Sequence, residues 1–530
     1  MGTDQNTQDQ CGKNLVNLGP VPELAAKGRA VLKVEGRQIA LFETEGGLFA
    51  INNRCPHEGY PLSEGSLKKG CQLACNWHGW TFDLKSGEAT QGRDAVKTYP
   101  VARVRGDILI DLTPVPLSVR RTKAYDELDE AVLEHDYERI ARSLARLEAA
   151  GEGTEPVIRH VIVFSLGKFE RGFGHAFAGL ADWLALSDGL NEGTRRTALL
   201  EAIGHISWDI LMDAGKAFAP STKRWNAKAC TAALEDMKEA EANAYVRGAF
   251  AEGLGFDAVA PVFMQVIMAH YAGFGHPAIY LMKAEELIAR LGEEVAEPLA
   301  LQLARYLCYA AREDLIPEFR AFADYIVLAP GTVPAPTPTC LSGQSVRQVM
   351  ALTSASSANA QDMWQALLAA SAINMLRFDT ARQHRTAQPI AQNIGWLDFT
   401  HAITFAESVH HHASKDPALW QSALMQMAAF VGRNAGDLAT DLDERWFVTD
   451  TAAFFAAERT KLTNMDEGDY IFAVHRLKML RASEALVALV NAETAKLLTA
   501  ALNRYLSADV RQRHPVRTAF QAWQTVAREG

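Results

Sequence analysis

Two short stretches of this chain carry metal-binding residue types at close spacing: Cys55-Pro56-His57 and Cys75-Asn76-Trp77-His78. Thiolates and neutral imidazoles are both good ligands for first-row metals. Each pair must come from a tight loop, so that its two side chains converge on one ion. Pro56, Gly59, Pro61 and Gly79 supply the turn residues such loops need. Two chemistries use two thiolates with two imidazoles. A tetrahedral zinc takes all four as a structural site. A [2Fe–2S] cluster takes the thiolates on one iron and the imidazoles on the other, and carries one electron.

Short strands have to position these loops. Residues 14–113 alternate apolar and polar side chains, as in "RAVLKVEGRQIALFETEGGLFAINN", with Glu-Gly and Gly-Gly breaks that mark hairpins. "RVRGDILIDL" predicts a further strand pair about Gly106-Asp107. The all-β frame, the "HGW" after Cys75 and the aromatic at Phe82 resemble a Rieske [2Fe–2S] domain, and the resemblance covers residues 14–113. It implies a cluster held by Cys55, His57, Cys75 and His78. Respiratory members of that family add a disulfide-forming cysteine to each loop. Tyr60 and Trp77 stand at those places here, and Trp80 and Phe82 replace the Ser and Tyr that donate hydrogen bonds to the cluster. Fewer donors place the potential toward the low end of the Rieske range of roughly −150 to +300 mV. The pattern resembles that of the Rieske ferredoxins that feed oxygenases and of the small subunit of assimilatory nitrite reductase. Cys71, between the ligand pairs, has no part in it.

After "LTPVPLSVRR" the text becomes helical, rich in Ala, Leu, Glu and Arg with apolar residues at helical spacing. The predicted fold is α+β and multidomain: an N-terminal all-β Rieske domain, then a large all-α domain of helical-hairpin repeats. The expected divisions are a flexible tail at 1–13, the Rieske domain at 14–113, a linker and helix at 114–149, one helical half at 150–328, a Pro-rich linker at 329–343 ("APGTVPAPTPTCLSG") and a second half at 344–530.

Within the helical text a tetrapeptide repeats: Gly-Phe-Gly-His ends at His175 and again at His276. Aligning His401 ("DFTHAITFAESVHHH") and His475 ("YIFAVHRLKML") with these two reveals a column. Each histidine has an aromatic shortly before it, opens a helix, and is followed by a break and a second helix. The uneven intervals exclude a regular solenoid; repeated helical hairpins fit better. Four such imidazoles would converge if the hairpins pack about an axis, and could hold a second metal, iron by preference and non-haem rather than haem. The bland alternative is a set of satisfied core histidines. Asp182, two turns after His175, and Glu407, just before His410, could add a carboxylate. His205 and Asp209 are one turn apart and read as a structural or supporting pair. His410 opens an HHH run whose default role is at a helix C-terminus.

"GFGHPAIYLMKAEELI" is similar to a segment of questin-oxidase-like proteins, helical oxygenases of Baeyer–Villiger type, and this implies oxygen chemistry. The expected function is a Rieske-type oxidoreductase that passes electrons to the histidine-ligated metal, to oxygenate a small organic substrate with dioxygen. The residues that would act on that substrate are not identified. No G-x-G-x-x-G follows a strand, so an external NAD(P)H-dependent flavin reductase is implied. One alternative is a ferredoxin carrier with a metal-free helical docking module for a separate oxygenase. Another is a divergent Rieske non-haem oxygenase large subunit. Asp398 and His401 give its D-x-x-H, but the next histidine, His410, is too far on.

The bulk properties narrow the partners. The chain has 530 residues, net charge −10 and seven cysteines. It lacks a basic cluster, a signal-like start and a long apolar run, which predicts a cytoplasmic protein with no nucleic-acid or membrane partner; a homo-oligomer is among the expected assemblies.

Overall fold

A computed structural model describes residues 14–327, 332–464, 469–509 and 514–529. The tail expected at 1–13 and the start of the Pro-rich linker, 329–331, lie outside the described residues. The chain divides into two compact units, Met1–Leu128 with Ala141–Gly151, and Asp129–Ile140 with Glu152–Gly530.

Among the described residues the first unit is built on eleven short strands. They are β1 (Leu15–Asn17), β2 (Arg29–Val34), β3 (Arg37–Thr44), β4 (Gly47–Asn52), β5 (Ser66–Lys68), β6 (Gln72–Ala74), β7 (Thr81–Asp83), β8 (Ala89–Gln91), β9 (Thr98–Tyr99), β10 (Val101–Val104) and β11 (Asp107–Asp111). They form three antiparallel sheets, ordered β1-β11-β10, β2-β3-β4-β9 and β5-β6-β7-β8. The predicted hairpins are present. Val34 pairs with Arg37 across Glu35-Gly36, and Val104 with Asp107 across Arg105-Gly106. Both central residues of each turn have positive φ (47° and 76°; 53° and 96°), the primed turn whose twist matches that of the strands. One core cluster joins Ala40, Phe42 and Ile51 of the hairpin sheet to Leu62, Leu73 and Phe82 beneath the two Cys-His loops.

No strand forms after Asp111 among the described residues. The helical unit is organised about four helices, His175–Ser187, His276–Leu291, Leu397–Lys415 and Tyr470–Val487. Each packs against the next and the last against the first, closing a four-helix bundle. Each is the first arm of a helical hairpin, completed by Glu192–Met212, Ala296–Tyr309, Trp420–Arg433 and Ala492–Leu506 in turn. Asn191 and Asn491 start two of the second arms, their side chains accepting from Thr194 N and Thr494 N. Either cap is worth about 1 kcal/mol. The bundle draws two helices from 150–328 and two from 344–530, so these stretches share one core. Beyond residue 331 the Pro-rich stretch contains one helical turn, Pro338–Leu341, capped by the Thr337 side chain. No described helix is long and apolar enough to cross a membrane.

Candidate metal centres

The two Cys-His loops have one backbone plan. Cys55 N donates to Tyr60 O at 2.9 Å and Gly59 N to Cys55 O at 2.8 Å. In the second loop Cys75 N donates to Trp80 O at 2.7 Å and Gly79 N to Cys75 O at 3.0 Å. Asn76 braces the second loop, donating to Glu64 O at 2.7 Å and accepting from Ser66 Oγ at 2.8 Å. The thiols of Cys55 and Cys75 are buried within hydrogen-bonding reach of each other, and burial pushes the Cys55 thiol up to about 11. The imidazoles of His57 and His78 are 4.7 Å apart by centroid. Trp80 stacks on His57 at 4.8 Å and Trp77 on His78 at 5.0 Å, which fixes both ring planes. The His78 side chain is 39% exposed, so the cysteines face the core and the histidines the surface. His57 Nδ1 is buried and has no hydrogen-bond partner. Paired thiols beside an orphaned imidazole nitrogen fit a two-iron cluster ligated by two Cys and two His. Glu58, which sequence reasoning passed over, lies 3.9 Å from a ring nitrogen of each histidine.

In the helical unit the histidine column closes on itself. His175 Nε2 lies 3.0 Å from His276 Nε2, His276 Nε2 lies 2.9 Å from His401 Nε2, and His401 Nε2 lies 3.3 Å from His475 Nε2. The His175 and His475 rings complete the circle at 4.8 Å between centroids. The opposite nitrogens are spoken for. His276 Nδ1 meets Gly273 O at 2.6 Å, His401 Nδ1 meets Leu397 O at 2.6 Å, and His475 Nδ1 meets Ile471 O at 2.5 Å. A carbonyl only accepts, so each of these Nδ1 atoms carries the proton and each Nε2 presents a lone pair to its neighbours. Burial holds all four imidazoles well below their usual range, so the neutral forms prevail at neutral pH. Lone pairs facing one another at 3 Å repel unless a cation lies between them. With metal–nitrogen bonds of about 2.1 Å, ligand nitrogens stand about 3.0 Å apart at a right angle and about 3.4 Å apart at the tetrahedral angle. The three separations, 2.9, 3.0 and 3.3 Å, lie within about 0.1 Å of that interval.

The two Gly-Phe-Gly-His copies reach the ring by different backbones. At Gly172 a Cβ would lie 2.2 Å from Gln302 O. In the second copy Gly273, Phe274 and Gly275 are all left-handed, with φ of 56°, 57° and 75°. A Cβ on Gly275 would lie 2.8 Å from Phe405 and 2.9 Å from Phe430. Arg433 stacks on Phe274 at 3.9 Å, and Glu313 Oε2 accepts from its N–H at 2.8 Å.

The other candidate residues take separate places. Asp182 pairs with Lys283 Nζ at 2.9 Å, away from the imidazole nitrogens. Seven residues of helix advance about 10.5 Å, so a side chain two turns below His175 is in the next layer and not at the same ion. Glu407 belongs to that layer too, its carboxyl raised by burial to about 7. His205 is buried, stacks on Tyr470 at 5.2 Å and approaches Asp209 at 3.5 Å. Asp209 in turn accepts from Ala176 N–H, anchoring the start of the helix that carries His175. His410 packs on Trp364 at 4.8 Å, and its neighbours turn to Glu285 (His411, 2.7 Å) and Ala278 O (His412, 3.2 Å). Three groups near the ring escaped sequence reasoning. Tyr280 OH meets His175 Nδ1 at 3.2 Å, Lys283 holds Asp182, and Lys478 is buried beneath the ring. Tyr280 and Lys478, at four and three residues after ring histidines on the same helix faces, were legible by spacing.

Comparison with known proteins agrees with the β unit. Residues 14–101 match the family described as Rieske [2Fe-2S] domain. The 3-phenylpropionate/cinnamic acid dioxygenase ferredoxin subunit of Escherichia coli (strain K12) is 43% identical over 101 residues, covering 19% of this chain and 94% of that protein. The 4beta-methylsterol monooxygenase of Methylococcus capsulatus is 38% identical over 112 residues, covering 17% of this chain and 30% of that protein. Among solved structures, the ferredoxin of carbazole 1,9a-dioxygenase from Nocardioides aromaticivorans IC177 is 22% identical, covers 18% of this chain and 95% of that chain, and has a TM-score of 0.17. The reduced complex between oxygenase and ferredoxin in carbazole 1,9a-dioxygenase is 26% identical, with a TM-score of 0.18. The present chain covers 29% of the chain matched there, and the match covers 19% of its own length. The β unit is thus a Rieske-type iron–sulfur domain with an electron-transfer role. Through residues 14–101 the chain belongs to the Rieske [2Fe–2S] family.

Proposed function

We propose that Cys55 and Cys75 hold one iron of the cluster, that His57 and His78 hold the other, and that His175, His276, His401 and His475 hold a further iron. When bound, these groups supply one-electron transfer and the activation of dioxygen toward a small organic substrate. The observation that carries the reading is the set of three Nδ1 protons locked on backbone carbonyls, with the matching Nε2 lone pairs converging at 2.9–3.3 Å. A satisfied core histidine would direct one ring nitrogen at a donor. His57 and His78 offer the partly exposed edge at which an external NAD(P)H-dependent flavin reductase would deliver electrons, with Trp77 and Trp80 holding their planes. The four ring histidines are neutral, so they hold a cation without cancelling its charge, which favours an anionic or reducible ligand at any open position. The resemblance of residues 273–288 to questin-oxidase-like proteins supports an oxygenase. The large-subunit alternative fits poorly: Asp398 accepts from Gly395 N–H at 2.8 Å at its own helix start, and the sheet of an α+β catalytic domain has no counterpart among the described residues.

Metal analysis tests this directly. The wild type should hold three irons per chain, His276→Ala two, with the Rieske spectrum intact. Cys75→Ser should abolish that spectrum and keep one iron. Two irons in the wild type would leave the ferredoxin carrier with a metal-free docking module as the better account.

A further inference from the structure

Beneath the imidazole ring the bundle contains a second polar layer to which the reading above gives no task. Asp182 Oδ1 bonds Lys283, while Asp182 Oδ2 is buried with no partner. Lys478 is 2% exposed, and its Nζ also has no hydrogen-bond partner. Two buried atoms of opposite charge are thus left unpaired, a costly arrangement unless water joins them. A bridging water needs about 2–4 polar partners, which this layer offers. On its outer side the layer opens on a cavity of about 540 Å³, lined by Asp182, Lys283, Glu286, Glu407 and Arg481 among others. On its inner side Lys478 Nζ lies 5.8 Å from the centre of the Tyr280 ring, whose hydroxyl meets His175. The ring itself keeps partial exposure at His175 and His276, whereas His401 and His475 are buried. Solvent therefore has two separate approaches, one at the exposed face of the ring and one through the charged layer below.

We propose that Lys478, reached from the lower cavity past Glu407 and Asp182, donates protons to the four-histidine centre. The inference rests on the metal-centre reading given above. Insertion of one oxygen atom balances as RH + O2 + 2 e⁻ + 2 H⁺ → ROH + H2O, with the electrons coming from the external reductase. A proton route distinct from the ring's partly exposed face separates proton delivery from substrate entry. Three helices of the bundle turn charge toward Lys478, Asp182 from the first, Lys283 from the second and Glu407 from the third; His205 faces it from the flanking arm, and Arg481 of its own helix lines the cavity beside Glu407. Burial brings the Lys478 ammonium down to about 8 and raises the Glu407 carboxyl to about 7. Both values lie close to neutral pH, the condition for efficient exchange.

The test uses full-length protein reduced anaerobically with dithionite, mixed with dioxygen and followed by the visible absorbance of the cluster. Two stored electrons reduce one dioxygen as O2 + 2 e⁻ + 2 H⁺ → H2O2. Wild type, Lys478→Met, Lys478→Arg and His276→Ala are compared in H2O and D2O, with iron measured for each. Lys478→Met and Lys478→Arg should both keep three irons, reoxidise about 10²-fold more slowly and show an altered solvent isotope effect. Wild-type rates in Lys478→Met overturn the inference. So does full recovery in Lys478→Arg, because a guanidinium keeps the charge but does not release a proton. Two irons in the wild type, or unchanged reoxidation in His276→Ala, overturn the metal-centre reading instead.

Discussion

The sharpest consequence of the imidazole ring concerns metal-dependent stability, and His276 is the place to perturb it. Its Nε2 faces two neighbours, His175 at 3.0 Å and His401 at 2.9 Å, so His276→Ala removes the ligand nearest to two others. A four-ligand structural site is worth about 10–16 kcal/mol of binding, or about 3 kcal/mol per ligand. That is a loss of affinity of roughly 10²-fold. At free metal about 1,000-fold above the wild-type Kd, binding stabilises the folded chain by about 4 kcal/mol; the variant at the same concentration gains only about 1 kcal/mol. For a chain of this size the difference is on the order of 3 °C in Tm. The assay is thermal unfolding of metal-depleted protein by circular dichroism at the helix band, with Fe(II) added anaerobically in steps. His410→Ala is the control, since His410 packs on Trp364 and has no place in the ring. Equal metal-induced shifts in wild type and His276→Ala would refute the reasoning, as would no shift in the wild type.

Three further outcomes follow from the same geometry. Gly275→Ala places a Cβ 2.8 Å from Phe405 at a φ of 75°, so it should cost about 1–3 kcal/mol and lower iron content by displacing His276; unchanged Tm and iron would contradict this. Burial depresses His205 to about 3 and His412 to about 4, against about 6.5 in the unfolded chain. Their contribution is whole above pH 6.5 and is lost as pH falls toward those values, so from above pH 7.5 to pH 5.5 chemical denaturation should show wild type losing about 3 kcal/mol more than a His205→Gln, His412→Gln variant, and parallel profiles would be inconsistent. Lys283→Met strands the buried Asp182 carboxylate and should destabilise by about 3–5 kcal/mol, with Asp182→Leu added in the same chain recovering most of it; urea midpoints decide.

Much of the cluster site was legible because its ligands are local. Cys55 with His57 and Cys75 with His78 each come from one hairpin loop, and their spacing states their convergence before any fold is known. The alternating strands and the Glu35-Gly36 turn were equally plain, since a period of two and a primed turn are properties of neighbouring residues. The histidine column could also be written down, since each copy lies in the first arm of a hairpin; only His175 and His276 open their helices, while His401 and His475 stand about one turn inside theirs. The sequence left open where the column leads. Closure of four helices into one bundle depends on packing between segments 74 to 300 residues apart, and that packing brings the Nε2 atoms of successive histidines to about 3 Å. Tertiary structure also separated Asp182 and Glu407 from the ring, because two turns of helix carry a side chain about 10 Å along the axis. It made Lys478 conspicuous, because only burial turns an ordinary lysine into an unpaired charge beside four imidazoles. The repeated Gly-Phe-Gly-His marks the boundary between the two kinds of knowledge. Its letters announce two histidines at helix mouths, but their neighbours decide the backbone: Gln302 crowds Gly172, while Phe405 and Phe430 crowd Gly275.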